Sequence, residues 1–160
     1  MRLGVNYSIE EYILVSNYPE WWNTTVTVYN KYENPADRRI TWHRTVIHNC
    51  FWKNTGNTLI VGETAIDTNS TLCRIPVSTT FLEKYQWNEL DDKPRHFTFG
   101  TGDIIVKGNV EDVINEYESG QRSSDFLAKY KKLQGCMVIE KYAVNAGLGR
   151  GTEHYLVKGV

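Results

Sequence analysis

Apolar and polar residues alternate along several stretches of the chain, as they do in half-buried β-strands. In residues 24–30, Val26 and Val28 alternate with threonines. Residues 40–52 form a longer segment rich in β-branched and aromatic residues, and residues 71–77 form a third segment that closes on a proline. These patterns predict strands separated by turn-rich connections.

One segment instead has helical spacing, and its apolar stripe consists of Phe126, Leu127, Tyr130 and Leu133. Ser123 or Ser124 is a candidate N-cap, and Gly135 lies where a C-terminal glycine belongs. We predict a mainly β fold of about eight short strands. It is a small antiparallel β-barrel or sandwich with one α-helix at about 124–134 and long functional loops.

The chain divides into an N-terminal aromatic extension, residues 1–23, and a single β-barrel-like domain, residues 24–160. The extension has no long apolar run and carries several acids, so it does not resemble a signal peptide. Cys50, Cys73 and Cys136 are widely spaced and predict no disulfide framework. We expect a soluble protein of a reducing compartment.

Composition narrows the possible functions. The 160 residues carry a formal net charge of −1, which does not predict the basic face of a nucleic-acid-binding protein. Five Trp and ten Tyr are many for a chain of this length. Such side chains fill β-rich cores, and they are also preferred at protein–protein contacts.

Two glycine-rich segments invite comparison with phosphate-binding loops. Gly100-Thr101-Gly102-Asp103 precedes a strand pattern, whereas a phosphate cradle needs a helix N-terminus or converging loop amides. We therefore predict a turn that begins a half-buried strand, in which Ile104 and Val106 alternate with Asp103, Ile105 and Lys107. The segment at 147–151 lies between two strand patterns, so we predict a flexible hairpin there.

Candidate metal and catalytic residues are few. His48 and Cys50 would share one face of a strand and His43 would lie on the other, but no second cluster supplies the missing zinc ligands. Asp91-Asp92 lies in the polar segment 88–96, which we predict to be a loop, and such an acidic dipeptide is usually solvated. We expect no catalytic set, no metal and no cofactor.

The order of several segments resembles phage morphogenesis proteins. The segments are TVTVYNKYENPADRRITWHRTVIHNCFW (25–52), TLCRIPV (71–77), FTFGTGDIIVKGNVED (97–112) and HYLVKG (154–159). The third is similar to the strand opening of small head-closure, or stopper, proteins of siphophages. The resemblance runs from about Thr24 to the C-terminus.

This resemblance implies a structural protein of the virion neck, assembled in the bacterial host cytoplasm. Such proteins form homo-oligomeric rings on portal or adaptor proteins and present a surface to tail completion or tail tube proteins. Packaged DNA passes through the lumen without sequence-specific contact. Their fold is a small β-barrel with loops, one of which can form a plug or an intersubunit β-structure.

Two sets of residues are hypothesised to serve this role. Trp21 and Trp22, together with Phe51, Trp52 and Lys53, are candidate contact residues, because ring interfaces bury aromatic side chains. The polar segment 62–71 is a candidate loop facing the bore or a neighbour, and its candidate residues are Gly62, Glu63, Asp67 and Asn69.

Other functions remain open at this point. One is a tail completion or terminator ring protein. Another is a β-barrel module that binds nucleic acid or a peptide through exposed aromatics such as Tyr29, Trp42 and Trp52, although stacking platforms usually come with a basic groove. An enzyme is a third alternative, and a metal ion found in the purified protein would support it.

Overall fold

The computed structural model describes residues 18–117, 120–145 and 153–160, with side chains except at 56–59 and 66–69. Its strands are β1 (Thr24–Glu33), β2 (Ile40–Val61), β3 (Thr64–Pro76), β4 (Ile104–Lys107), β5 (Cys136–Asn145) and β6 (His154–Gly159). The connections contain helix α1 (Lys84–Asn88), a 3-10 turn (Lys93–Arg95) and helix α2 (Ser123–Leu133).

The six strands form a closed barrel in the order β1-β2-β3-β6-β5-β4, with every neighbouring pair antiparallel. Closure gives the barrel strands partners on both sides. The predicted mainly β fold, a small antiparallel barrel with one helix of several turns, is confirmed. The predicted number of about eight strands is wrong for the described residues, because β2 and β3 are each continuous where the sequence suggested breaks.

The barrel interior is filled by inward-facing side chains from all six strands and the segment before β4. They are Val26, Val28, Cys50, Cys73, Ile75, Phe97, Phe99, Ile105, Met137, Ile139, Tyr155 and Val157. Phe81 lies against this core, with its ring centroid 4.3 Å from that of Tyr155. Several aromatic residues therefore fill the barrel core, as their β-rich pattern predicted.

A second core lies outside the barrel, where α2 covers β1 and β4. Phe126 of α2 packs edge-on against Tyr29, with ring centroids 4.8 Å apart. Ile104, Ile105 and Val106 are all buried, because one face of β4 lines the barrel and the other faces the helix. The predicted half-buried alternation of β4 is therefore wrong, and this coverage is its physical reason.

Helix α2 begins one residue earlier than predicted, at Ser123. The residue that precedes the helix in extended conformation is Arg122, and no side-chain capping bond forms there. Ser123 and Ser124 thus lie inside the helix and the predicted serine cap is wrong. Gly135 has a φ of +98°, as a C-terminal glycine does, and its amide donates to the carbonyl of Tyr130 at 3.1 Å.

A bulge in β2 changes the faces predicted for His48 and Cys50. Asn49 between them has a φ of +60°, and the β1–β2 register shifts at this point. The two side chains therefore do not share a face: His48 is exposed and lies 3.0 Å from Thr25 Oγ1, whereas Cys50 is buried in the barrel.

The segment between β3 and β4 packs on the end of the barrel where Tyr32 of β1 and His43 of β2 lie. Trp87 of α1 is fully buried, and the Lys93 ammonium lies 4.1 Å from the centre of the Tyr32 ring. Lys93 Nζ also donates to the carbonyls of Asn88 and Leu90, at 3.0 and 2.6 Å. The polar stretch 88–96, predicted to be a loop, therefore contains a 3-10 turn and a buried lysine.

The segment 62–71, also predicted to be a loop, belongs to a hairpin. Gly62 and Glu63 form the two-residue turn, since Val61 pairs with Thr64, and β3 begins directly after it. Gly62 has a φ of +66°, which suits the first central position of a type II′ turn. The predicted hairpin at 147–151 lies outside the described residues.

Candidate assembly site

The Gly100–Asp103 corner is a turn before β4, as predicted, and an internal carboxylate organises it. Asp103 is 1% exposed. Its Oδ1 accepts from the amide of Lys31 at 2.9 Å and from Lys84 Nζ at 3.2 Å. Its Oδ2 accepts from Asn30 Nδ2 and from the amide of Gly100, both at 2.9 Å.

These bonds leave the corner little to offer an external ligand. The Gly100 amide points at the carboxylate of its own turn, so it is not directed at an external anion. Burial raises the pKa of Asp103 above its ordinary value, while Lys84 and the hydrogen bonds act in the opposite direction. We interpret this corner as a structural element of the barrel.

The candidate metal ligands do not converge. Within residues 18–117, 120–145 and 153–160, no group of three or more His, Cys, Asp or Glu side chains is placed to hold a metal ion. The three cysteines are free and buried. Burial raises the pKa of Cys136 to about 12 and also raises the pKa of Cys73, so these thiols are protonated at neutral pH.

The most unusual feature of the fold is a two-stranded arm, residues 55–70, that extends beyond the barrel. The pairing of β1 with β2 ends at Cys50, and the pairing of β6 with β3 ends at Thr71. From Thr55 paired with Ser70 to Val61 paired with Thr64, the two strands pair only with each other. Seven residues per strand give the arm a reach of about 23 Å.

The arm exposes backbone and apolar side chains at once. Both of its outer edges lack a strand partner among the described residues. Ile60 and Val61, next to the turn, are 73% and 56% exposed. Successive side chains of a strand point to opposite faces, so the arm tip is apolar on both faces.

The predicted contact residues Phe51, Trp52 and Lys53 lie at the root of this arm. Trp52 Nε1 donates to Asn54 Oδ1 at 3.1 Å, and its ring lies against Gly135 at the end of α2. Phe51 is half-buried beneath the guanidinium of Arg74, 5.2 Å from the ring centre, and Lys53 is exposed. Trp52 thus positions the arm root against the helix.

The predicted loop residues lie on the arm itself. Gly62 and Glu63 form its exposed turn, while the backbones of Asp67 and Asn69 pair with Thr58 and Gly56. The structure therefore brings the two predicted sets, 51–53 and 62–69, into one hairpin.

Trp21 and Trp22 lie elsewhere, in the short described part of the N-terminal extension. Trp21 is 66% exposed, whereas Trp22 is 8% exposed. Trp22 stacks on Tyr18 at 5.2 Å and meets the ring of His154 edge-on at 5.5 Å. A contact with another molecule fits Trp21 but does not fit the burial of Trp22, which holds the extension on β6.

The aromatic residues considered for base stacking do not form an exposed platform. Tyr29 is 1% exposed, in the core beneath α2. Trp42 packs against the same core and donates its indole hydrogen to Glu116 at 3.1 Å. The expected exposure of Tyr29 is therefore wrong, because α2 covers that face of β1.

A groove lies at the arm root, where β6 ends beside β3. It has a volume of about 390 Å³ and is lined by the arm root, the start of β5, Lys131 of α2, and Val160. Sequence reasoning missed Ile60, Val61, Lys131 and Val160. For Ile60 and Val61 the sequence did contain a signal, because this apolar pair directly precedes the turn-forming Gly62.

The chain was compared with known proteins. A family model described as a family of unknown function, DUF6751, matches residues 21–160, so the chain belongs to this family. No curated protein and no solved structure matches the chain. Among the described residues, no helix is both long enough and apolar enough to cross a membrane.

Proposed function

We propose that this member of the DUF6751 family is a structural subunit of a phage neck, forming a ring between the portal or adaptor and the tail. The observation that carries the assembly role is the arm, residues 55–70, with two open edges and an apolar tip. The placement in a neck rests on the resemblance of segments 25–52, 71–77, 97–112 and 154–159 to phage morphogenesis proteins.

The composition of the arm supports a role in association. Soluble proteins protect exposed sheet edges with lysine, proline or bulges. Residues 55–70 contain no lysine, arginine or proline, and the charged residues among them are Glu63 and Asp67. An arm of this kind would promote aggregation unless a partner covered it, so we infer that its partner is part of the working assembly.

The apolar tip supports the same conclusion. Burying an exposed Ile or Val side chain contributes about 1.5–3 kcal/mol. Ile60 and Val61 can therefore stabilise a contact substantially, and they contribute little to the isolated barrel. The exposed Trp21 offers a second contact on the N-terminal extension.

The ring position within the neck is part of the proposal. Head closure or head–tail joining follows from the resemblance of 97–112 to stopper proteins, with tail completion as the alternative outcome. The near-neutral net charge is compatible with a channel through which DNA slides, since a strongly basic lumen would bind phosphates. Portal, adaptor and tail completion proteins are the expected partners.

The test is the composition of purified particles. Mass spectrometry of isolated necks should find this chain in a fixed ratio to the portal protein. Its absence from complete particles would overturn the proposal. Its position between portal and tail in an image of the neck would separate head closure from tail completion.

An arm-deleted variant tests the role of the hairpin. Asn54 and Thr71 are register partners, so Asn-Gly can replace residues 55–70 and close a two-residue turn. We expect a folded barrel and particles that fail to join head and tail. Tyr85→Ala, which removes an exposed aromatic side chain of α1, is the matched surface control. Particles of normal yield from the arm-deleted variant would contradict the assembly role of the arm.

A further inference from the structure

The groove at the arm root has the features of a binding surface for a short, apolar and acidic segment. Its lining includes the small polar side chains Thr55 and Ser70 on one wall and Val160 on another. Lys131 is the one charged side chain among its eight lining residues. Val160 is 49% exposed, so the groove offers one accessible apolar side chain.

The arm tip is complementary to this groove. Ile60 and Val61 place apolar surface on both faces of the ribbon, which suits insertion between two walls better than contact with a flat surface. Glu63, in the turn, gives the tip an acidic end opposite in sign to Lys131. Among the ion pairs of the described residues, none involves Glu63 or Lys131.

We propose that the arm tip of one copy docks into the arm-root groove of a second copy. Ile60 and Val61 lie against Val160 of the second copy, and Glu63 pairs with its Lys131. This inference rests on the proposed ring function and specifies the contact that would build the ring.

The geometry favours a second copy over the same chain. The tip lies about 23 Å from its own root along a continuous two-stranded ladder, so it cannot enter its own groove without breaking that ladder. A contact between two different surfaces of identical chains is head-to-tail, and such contacts close into rings when the rotation permits. The surface that one tip can bury is small compared with the roughly 800 Å² per partner of a stable interface. The contact therefore needs the other contacts of a closed ring, or simultaneous binding to the portal or adaptor.

Disulfide trapping in assembled particles tests the contact directly. Val61→Cys and Val160→Cys are introduced into one chain. Every variant also carries Cys136→Ala, because the native Cys136 lines the groove, and the other two native cysteines are buried. Under mild oxidation we expect a ladder of cross-linked multimers in particles that carry this chain. Val61→Cys with Val144→Cys, exposed on β5, is the matched control and should give no ladder.

The outcomes separate this inference from the proposed function. A ladder with the Val160 pair and none with the Val144 pair would support tip-to-groove docking. If particles contain the double-cysteine chain but show no ladder, the docking inference is overturned and the neck function stands. If wild-type chain is absent from particles, the neck function is overturned together with this inference.

A charge reversal provides a second measurement that leaves the barrel intact. In the Val61→Cys, Val160→Cys background, we expect Glu63→Lys to reduce the cross-linking yield about 1.5- to 5-fold, as for loss of an exposed ion pair. Lys131→Glu in the same chain should restore it. Failure of the second reversal to recover any yield would contradict the Glu63–Lys131 pairing.

Discussion

The barrel and the arm are made from the same two strands, and they differ in how their hydrogen-bonding groups are satisfied. In the barrel, residues Thr71–Arg74 of β3 pair with β2 on one side and with β6 on the other, and the buried Asp103 carboxylate accepts bonds at both oxygens. In the arm, the continuations of the same strands have partners on one side only. The barrel part of β3 therefore has both of its neighbours within the chain, whereas the arm has two open edges among the described residues.

The difference shows how one hairpin can have a root that belongs to the barrel sheet and a tip that stays exposed. The root belongs to the barrel sheet and is positioned by Trp52 against Gly135, so the arm is presented in one direction. The exposed Ile60 and Val61 lie at the far end of this rigid base. Substitutions in the barrel should therefore change stability, and those in the arm should change association.

The largest expected effect is that of Asp103→Ala on the barrel. Its removal leaves the Lys31 amide and Asn30 Nδ2 without their acceptor and leaves Lys84 without its ion-pair partner. We expect the free energy of unfolding to fall by about 3–5 kcal/mol, the range for removing one member of a buried charge pair. Urea denaturation monitored by tryptophan fluorescence measures it.

The control for this variant is Asp103→Asn, which preserves size and one acceptor oxygen. It should retain more stability than Asp103→Ala. Equal stability of Asp103→Ala and wild type would show that the corner does not organise the barrel.

Substitutions at two glycines, one in the barrel and one in the arm turn, should differ in their effect on stability. A Cβ at Gly159 would lie 2.0 Å from the carbonyl oxygen of Val138, so Gly159→Ala forces β5 and β6 apart. We expect a loss of about 1–3 kcal/mol, as for overpacking. Gly62 has a positive φ but no atom within 4 Å of its Cβ position, so Gly62→Ala should strain the arm turn only. Thermal unfolding should separate the two variants, and equal melting temperatures would contradict the distinction.

Much of the fold follows from local sequence patterns. The period-2 alternation of 24–30 and 40–52 located β1 and most of the barrel part of β2, and the stripe from Phe126 to Leu133 located α2. These segments were predictable because one periodic apolar face meets one core. The burial of all three residues from Ile104 to Val106 was not predictable in this way. It depends on α2, which is distant in sequence, covering the outer face of β4.

The arm was misassigned for a related reason. The chain offers two turn signals close together, TGN at 55–57 and VGE at 61–63, and the first contains more turn-forming residues. The observed register places the turn at Gly62 and makes Gly56 part of a strand. The choice is made by the pairing of Phe51 with Arg74 through Val61 with Thr64, which no short window of sequence displays.

Hydrogen exchange measures the difference between barrel and arm without a substitution. A two-stranded hairpin is marginally stable alone, so the amides of 55–70 should exchange through local opening. Amides of β1, paired on both sides, should require global unfolding. Mass spectrometry of peptides from the free protein should show protection in the arm at least tenfold lower than in β1. Equal protection would contradict an independent arm, and increased arm protection in assembled particles would support docking.

The smallest expected effect is a pH dependence of stability, and it arises where helix α2 packs on the barrel. Asp112 accepts from Lys129 Nζ at 2.7 Å and from the Tyr130 hydroxyl at 2.6 Å, which connects the loop after β4 to α2. These hydrogen bonds lower the pKa of Asp112 below its ordinary value of 3.8. A carboxyl group with a lowered folded-state pKa stabilises the fold above its ordinary pKa, and this contribution is lost as the pH falls through the folded-state pKa.

Asp112→Asn should therefore be less stable than wild type at pH 7, and the difference should shrink at pH 3. Because the pair is partly exposed, the difference is small and decreases with added salt. Urea midpoints at the two pH values measure it, and the arm-deleted protein should give the same difference, since the pair lies outside residues 55–70. A difference that grew toward low pH would reverse the sign of this linkage and show that the ionised form of Asp112 destabilises the packing of α2 on the barrel.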